Sequence, residues 1–363
     1  MWPFDKSYSV STSGGLKSFE KLKPCITFDD VVLEPQYSDI VSRKDVDTRA
    51  RFLNKKDLLS TPIIAANMDT VVNTNVSRLM QDYGGMAILH RYQSKEETLF
   101  QIQDLISTGH RAIPSIGIQE GEYEKAVEYV KAGAAAICVD IAHGDSKHMV
   151  DMVKRLSKTK VNKKKIVVIA GNVATKEGAL RLIRAGASII KTGVGSGAAC
   201  VSREVAGHGI PQLVALMEVA SLKTWYRDFT IIADGGIRKP GDIAKALAFG
   251  ADLVMVGSLV GSCIESPGEL IQGQKVYRGM ASKEARVDFD THIPTDYSAE
   301  GVSMMRTVTG TLRQAIDKLM GGLRSGMSYS GAHNLKEYRR KARFMLVSGH
   351  GYTEGTPHGL KSG

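Results

Sequence analysis

Cysteine is scarce in this chain of 363 residues, and the four present, Cys25, Cys138, Cys200 and Cys263, are far apart. That scatter builds neither a disulfide framework nor a paired-cysteine zinc site, so reduced thiols are expected. No apolar run reaches the roughly 20 residues needed to span a bilayer. The start, Met1-Trp2-Pro3-Phe4-Asp5, is not a basic segment leading into an apolar one. A cytoplasmic protein with no membrane partner is therefore expected. Aromatics are few, and the basic clusters Lys160 to Lys165 and Arg339 to Arg343 have none interleaved. The net charge of +10 is thus not read as a nucleic-acid surface. The clusters are expected on solvated helix faces, while the positive surplus suits phosphorylated small molecules.

Hydrophobic residues make up 43% of the chain, enough for a full core. They fall into eight short runs, Ile63 to Ala66, Met86 to Leu89, Ile113 to Ile116, Ala136 to Asp140, Ile166 to Ala170, Ser188 to Thr192, Thr230 to Ala233 and Leu253 to Gly257. Helical patterns such as Tyr123 to Lys131, Lys176 to Arg184 and Asp242 to Ala248 separate them. Three helices end on Ala132-Gly133-Ala134, Ala185-Gly186-Ala187 and Phe249-Gly250-Ala251, where glycine accepts the left-handed conformation that stops a helix. Repeated strand-helix units of this number predict an α/β fold, a single (β/α)8 TIM barrel over residues 1–363. Residues 1–60 read as an N-terminal arm, with Ser11 to Gly15 flexible in composition. The polar, irregular stretch 279–309 reads as a long active-site flap, and 340–363 as a C-terminal tail.

Polar residues stand where the strands should end: Asn67, Asp69, His90, Asp140, Asn172, Asp234 and Ser258, with Cys200 on a loop. In a barrel these ends converge on one face, where catalytic groups gather. Asn172 and Asp145 are set apart as turn formers or helix caps. The loop Gly193-Val194-Gly195-Ser196-Gly197-Ala198-Ala199-Cys200 follows a buried strand, and its glycines let a ligand approach the backbone closely beside one thiol. A covalent cysteine catalyst is the reading. Ala233-Asp234-Gly235-Gly236-Ile237-Arg238 and Met255-Val256-Gly257-Ser258 end the last two strands, the usual phosphate-binding loops of a barrel. Asp234 beside them has the acceptors for a ribose diol.

With Phe28-Asp29-Asp30-Val31-Val32-Leu33, Ser266-Pro267-Gly268-Glu269 and Tyr277-Arg278-Gly279-Met280, these motifs resemble the IMP dehydrogenase and GMP reductase family over nearly the whole chain. The resemblance implies a thioimidate between Cys200 and C2 of a purine monophosphate. Several segments resemble the reductase branch: Ala66 to Thr70, Ser42 to Asp47, His90-Arg91-Tyr92-Gln93 and Asp140 to Gly144. No regulatory domain is inserted after Ser115 to Glu120, and the flap lacks the Arg-Tyr pair with which dehydrogenases activate water. Tyr277 to Met280, Met320 to Met327 and the tail Ser348 to Glu354 resemble dehydrogenases instead.

The expected activity is reductive deamination of GMP to IMP with NADPH. The alternatives are IMP dehydrogenase, using NAD and water, and a purine-nucleotide-binding pseudoenzyme. By resemblance, Cys200 is the nucleophile, with Ser202 (threonine in the family) and Glu300 supplying the proton to departing ammonia. Asp234 takes the ribose, Gly235, Gly236, Gly257 and Ser258 the phosphate, and Gly279, Met280 and Gly301 the base. Asp140, Ile141, Ala142, Val194 and Gly195 face the nicotinamide end of the cofactor. Ser42 and Arg43 reach its adenosine portion across a subunit boundary, since the family forms homotetramers that sometimes pair into octamers. The carbonyls of Gly195, Gly197 and Cys200 form a potassium site. Two departures stand out: Ala198 replaces the family's phosphate-binding serine, and Tyr297 stands where animal-type reductases carry arginine.

Overall fold

A computed structural model describes residues 25–289 and 298–357. The eight apolar runs form eight parallel strands: β1 (Ile63–Ala65), β2 (Met86–Ala87), β3 (Ser115–Ile116), β4 (Ile137–Asp140), β5 (Val168–Val173), β6 (Ile189–Thr192), β7 (Thr230–Asp234) and β8 (Leu253–Val256). Their order is β2-β1-β8-β7-β6-β5-β4-β3. Beyond the ends of β2 and β3, Leu89 and Pro114 pair in parallel. The Leu89 N–H donates to the Ile113 carbonyl at 2.8 Å and the Ser115 N–H to the Leu89 carbonyl at 3.0 Å, which closes the (β/α)8 barrel. Every residue of β1, β6 and β8 is buried, as strands covered by helices outside and packed side chains inside require.

The helices begin on capping side chains. Asn73, Ser94, Ser146 and Thr175 each accept the backbone N–H three residues on, at the starts of Thr74–Asp82, Lys95–Ser107, Lys147–Lys158 and Lys176–Ala185. Each such cap is worth about 1 kcal/mol. The three expected glycine stops are left-handed, with φ of 108° at Gly133, 107° at Gly186 and 111° at Gly250. The caps set where each helix starts and the glycines where three of them stop, so the strand ends line up at one rim.

Outside the repeat, the arm and tail form one structure. Val31–Leu33 from the arm pairs antiparallel with Phe344–Leu346 from the tail. A second hairpin, Ala50–Arg51 with Leu58–Leu59, leads into Phe52, which is fully buried and whose carbonyl accepts the Thr230 hydroxyl at the start of β7. The arm therefore plugs the N-terminal end of the barrel. Ser11 to Gly15 lie outside the described residues.

Two expectations are corrected here. Lys160 to Lys165 is a β-hairpin, Lys160–Val161 with Lys164–Lys165, and not a helix face. Asn162 and Lys163 turn it with φ of 49° and 66°, a pair of left-handed residues that hairpin turns require. The flap is more regular than its composition suggests. Lys283–Phe289 is a helix, and Ser303–Thr307 pairs antiparallel with Gln274–Arg278. Tyr277 is buried in that hairpin while Met305 is exposed, the alternation of a sheet with one covered face.

Candidate active site

At the C-terminal ends of the strands lies a cleft of about 430 Å³ lined by residues from the loops after β1, β2 and β3, from the ends of β4 to β7, and from the cysteine loop and the flap. Cys200 forms part of its wall, and Sγ lies 3.2 Å from the Ser202 hydroxyl oxygen. The other thiols are unsuited to chemistry there. Cys138 and Cys263 are buried, and desolvation pushes both up to about 12, while Cys25 is an exposed residue of the arm.

Glu300 reaches the same cleft through backbone pairing between the flap and the cysteine loop. Val201 N–H donates to the Glu300 carbonyl at 2.9 Å, Val302 N–H to the Ala199 carbonyl at 3.0 Å, and Cys200 bridges to Gly301. Glycine is needed at this seam. A β-carbon on Gly279 would fall 2.7 Å from the Ala199 carbonyl oxygen, and one on Gly301 would fall 2.8 Å from the Ser282 nitrogen. The flap thus lies against the loop as a short extra ladder, and the thiol, the hydroxyl and the acid share one cleft.

Asp234, at the end of β7, is anchored through a single oxygen. Its Oδ2 accepts from Lys191 Nζ at 2.8 Å and from Asn172 Nδ2 at 2.9 Å. Asn172 therefore belongs to the site, which corrects its assignment as a turn or cap residue. It lies within β5, and Nδ2 also donates to the Gly193 carbonyl at 2.7 Å. Asp145, the other residue set aside, is bound in a two-pronged pair with Arg181, and the adjacent helix is capped by Ser146 instead. Across the cleft floor, Asp140 Oδ1 lies 2.7 Å from the same Lys191 ammonium. Burial opposes ionisation of Asp140, but the Lys191 charge and hydrogen bond outweigh it and hold the carboxyl below its usual range.

Of the residues singled out in the sequence, the cleft gathers Asp140, Ile141, Ala142, Gly197, Cys200, Ser202, Asp234, Gly279, Met280, Glu300 and Gly301. Gly235 and Gly236 lie under the cysteine loop, where Gly236 N–H donates to the Ser196 carbonyl at 3.0 Å and a β-carbon on Gly235 would meet Ser196 Oγ at 2.7 Å. Gly257 packs against Tyr277, Ser258 begins a short helix, and the Val194 carbonyl accepts the Ile210 N–H. Gly195, with φ of 75°, packs on Arg203 and Gly209, and the Gly197 carbonyl accepts the Cys200 N–H. Ser42 and Arg43 do not reach this protomer's cleft, and Arg43 Nη1 donates to the Ser325 hydroxyl. Ser196 does not replace the serine missing at Ala198, because its hydroxyl is turned to Gln212 and the Asp234 carbonyl. Tyr297 lies outside the described residues.

The cleft also holds Lys191, Arg91 and Arg286, none of which was singled out for the site. Lys191 carried a legible signal, a lysine amid the apolar residues of a buried strand, which must find counter-charges. Two polar atoms lining the cleft are buried with no hydrogen-bond partner among the described residues, Arg91 Nε and Asn172 Oδ1. One donor and one acceptor in that state suit a polar ligand. At the far end Arg91 lies 4.6 Å over the ring of Tyr92, and with Ile118 and Gln119 these residues extend the cleft past Asp140.

Residues 25–358 match the model of the IMP dehydrogenase / GMP reductase domain. An inosine-5'-monophosphate dehydrogenase from Aquifex aeolicus is 32% identical, covering 94% of this chain and 97% of that protein. A GMP reductase from Leishmania major is 31% identical, covering 95% and 99%. Among solved structures, a cysteine-to-alanine variant of GMP reductase from Trypanosoma brucei, in complex with guanosine 5'-monophosphate, superposes with a TM-score of 0.85 at 28% identity, covering 94% of this chain and 99% of that one. The alignments to the Aquifex and Leishmania proteins run over 481 and 493 positions, well beyond the 363 residues here. Extra length relative to this chain thus occurs in proteins named for either reaction, and its compactness does not choose between them.

Proposed function

The chain belongs to the IMP dehydrogenase/GMP reductase family of oxidoreductases, which work with a nicotinamide cofactor, and on that premise we propose that it is an NADPH-dependent GMP reductase. The observation that carries this reading is the backbone ladder that sets Glu300 beside Cys200 and Ser202. An acid near the thiol suits the loss of ammonia, which needs a proton donor. The flap sequence offers no Arg-Tyr pair to activate water for the dehydrogenase reaction.

In the proposed reaction the Cys200 thiolate adds to C2 of GMP. The C2–nitrogen bond breaks as Ser202 and Glu300 deliver a proton, giving ammonia and the thioimidate. The cofactor, held by Asp140, Ile141 and Ala142, would supply a hydride to the same carbon, and expulsion of the Cys200 sulfur from C2 would release IMP and restore the thiolate. Asp234 accepts from the ribose hydroxyls and fixes the base over Cys200. Asp140, Ile141 and Ala142 receive the nicotinamide end. Ser42 and Arg43 would meet the adenosine portion from a neighbouring protomer of a homotetramer.

IMP dehydrogenase is the second reading, favoured by Tyr277-Arg278-Gly279-Met280 and the tail Ser348 to Glu354. Following reduced-cofactor absorbance separates the two. Loss with GMP and NADPH is expected; a gain with IMP and NAD would establish the dehydrogenase, and no change with either would leave a nucleotide-binding pseudoenzyme.

A further inference from the structure

Lys191 is 2% exposed, on the middle strand β6, and its ammonium touches two carboxylates that belong to different parts of the cleft. Asp140 is 2.7 Å away and Asp234 2.8 Å. The approach is built into the backbone, since a β-carbon on Gly171 of the intervening strand β5 would fall 2.6 Å from Lys191 Cβ. The groups facing the ammonium complete a closed charge balance. Asn67 hydrogen-bonds Asp140, Asn172 hydrogen-bonds Asp234, Arg91 adds a positive charge near Asp140, and Cys138 beneath is held as the neutral thiol. Two carboxylates thus divide one ammonium, with Arg91 as the further positive charge near Asp140.

We propose that Lys191 is a positioning residue that couples the nucleotide and cofactor subsites by dividing one ammonium between Asp140 and Asp234. This rests on the reading of Asp234 as the ribose carboxylate and Asp140 as the cofactor carboxylate. Burial disfavours the charge on Lys191, but the two carboxylates outweigh it and raise its pKa, so the ammonium persists throughout the working range. Without it, the two half-buried carboxylates would face one cleft with no ammonium between them, and protonation of either would cost its subsite an acceptor. With it, a donor bound at one carboxylate releases ammonium density to the other, so occupancy of one subsite alters affinity at the other.

The test is calorimetric binding of GMP to cofactor-free protein across pH 6 to 9. Lys191→Met is expected to bind GMP at least about tenfold more weakly at pH 7, with an affinity that climbs as pH rises through this range, a dependence absent from the wild type. Adding Asp140→Asn removes the competing carboxylate and should return GMP affinity to within about threefold of wild type, with the pH dependence gone, while NADPH affinity stays weak. A double variant that binds GMP no better than Lys191→Met, or a Lys191→Met that binds as the wild type does, would overturn the coupling. Should Lys191→Met fail to fold by circular dichroism, Asp140→Asn alone decides. With Lys191 left to Asp234, GMP binding without cofactor should weaken by about two- to fivefold, and an unchanged affinity refutes the proposal. A wild type that binds neither GMP nor IMP would instead remove the reading of the site on which the coupling stands.

Discussion

Each end of the barrel sets a lysine among charged partners, and the two ends do it in opposite ways. At the N-terminal end, Asp252 sits just before β8 and takes Lys223 on Oδ2, Arg339 on Oδ1 at 3.2 Å, and the Ile231 N–H at 2.8 Å. One acid serves two bases there. For Lys223 burial prevails over the attraction of Asp252, with Arg339 opposing as well, and its pKa is lowered. At the C-terminal end one base, Lys191, serves two acids, and its pKa is raised. The first arrangement satisfies Asp252 fully with protein donors and needs no ligand. The second turns both carboxylates to the open cleft, where the proposed reading places the nucleotide and the cofactor. The barrel thus keeps its stabilising charges at one rim and its receptive charges at the other.

That contrast can be broken most severely at the thiol. Cys200→Ala should lower turnover by about four orders of magnitude, while thermal unfolding and GMP binding stay close to wild type, because the side chain is only partly buried and its sulfur contacts a single neighbouring hydroxyl, that of Ser202. Retained turnover would remove Cys200 from the chemistry. At the opposite rim, Asp252→Asn strands Lys223 and Arg339 without a full counter-charge. Stability in urea should fall by about 3 kcal/mol, with the KM for GMP unchanged.

Glu300→Gln sharpens the picture at the receptive rim. Its kcat should drop about a hundredfold with little change in nucleotide affinity, and a drop in affinity alone would make the residue a binding group. The smallest effect expected is on acid stability. Asp140 has a folded pKa below its unfolded value, so its stabilising contribution is complete above about pH 4 and is lost as pH falls through the depressed folded value. Asp140→Asn should flatten urea stability against pH below about 4 and leave the curve above pH 5 with the same slope.

Much of the barrel was legible because its signals are local. Apolar runs such as Ile189 and Ile190 in β6 stand between helices whose starts carry Asn73, Ser94, Ser146 or Thr175 and three of whose ends carry Gly133, Gly186 or Gly250. Reading Cys200 as part of the site drew on one thiol after a glycine-rich loop together with the polar residues at the strand ends and the family resemblance. Less legible were features made by pairing at a distance. Nothing around Asn172 distinguishes a cap from a side chain reaching Asp234, 62 residues away. The regular flap was hidden because Ser303–Thr307 is held as a strand by pairing with Gln274–Arg278, and Ser-Met-Met-Arg-Thr has no polar and apolar alternation of its own to mark it.

The order of strands and helices, the stops between them and the placing of a thiol after a glycine-rich loop were written into short stretches of chain, since backbone preference and apolar periodicity act over a few residues. Only the closed barrel brought Lys191 between Asp140 and Asp234 and laid Gly301 against Cys200. Those meetings depend on the curvature of the sheet and on glycines that let backbones touch, and such distances come into being when the chain has folded.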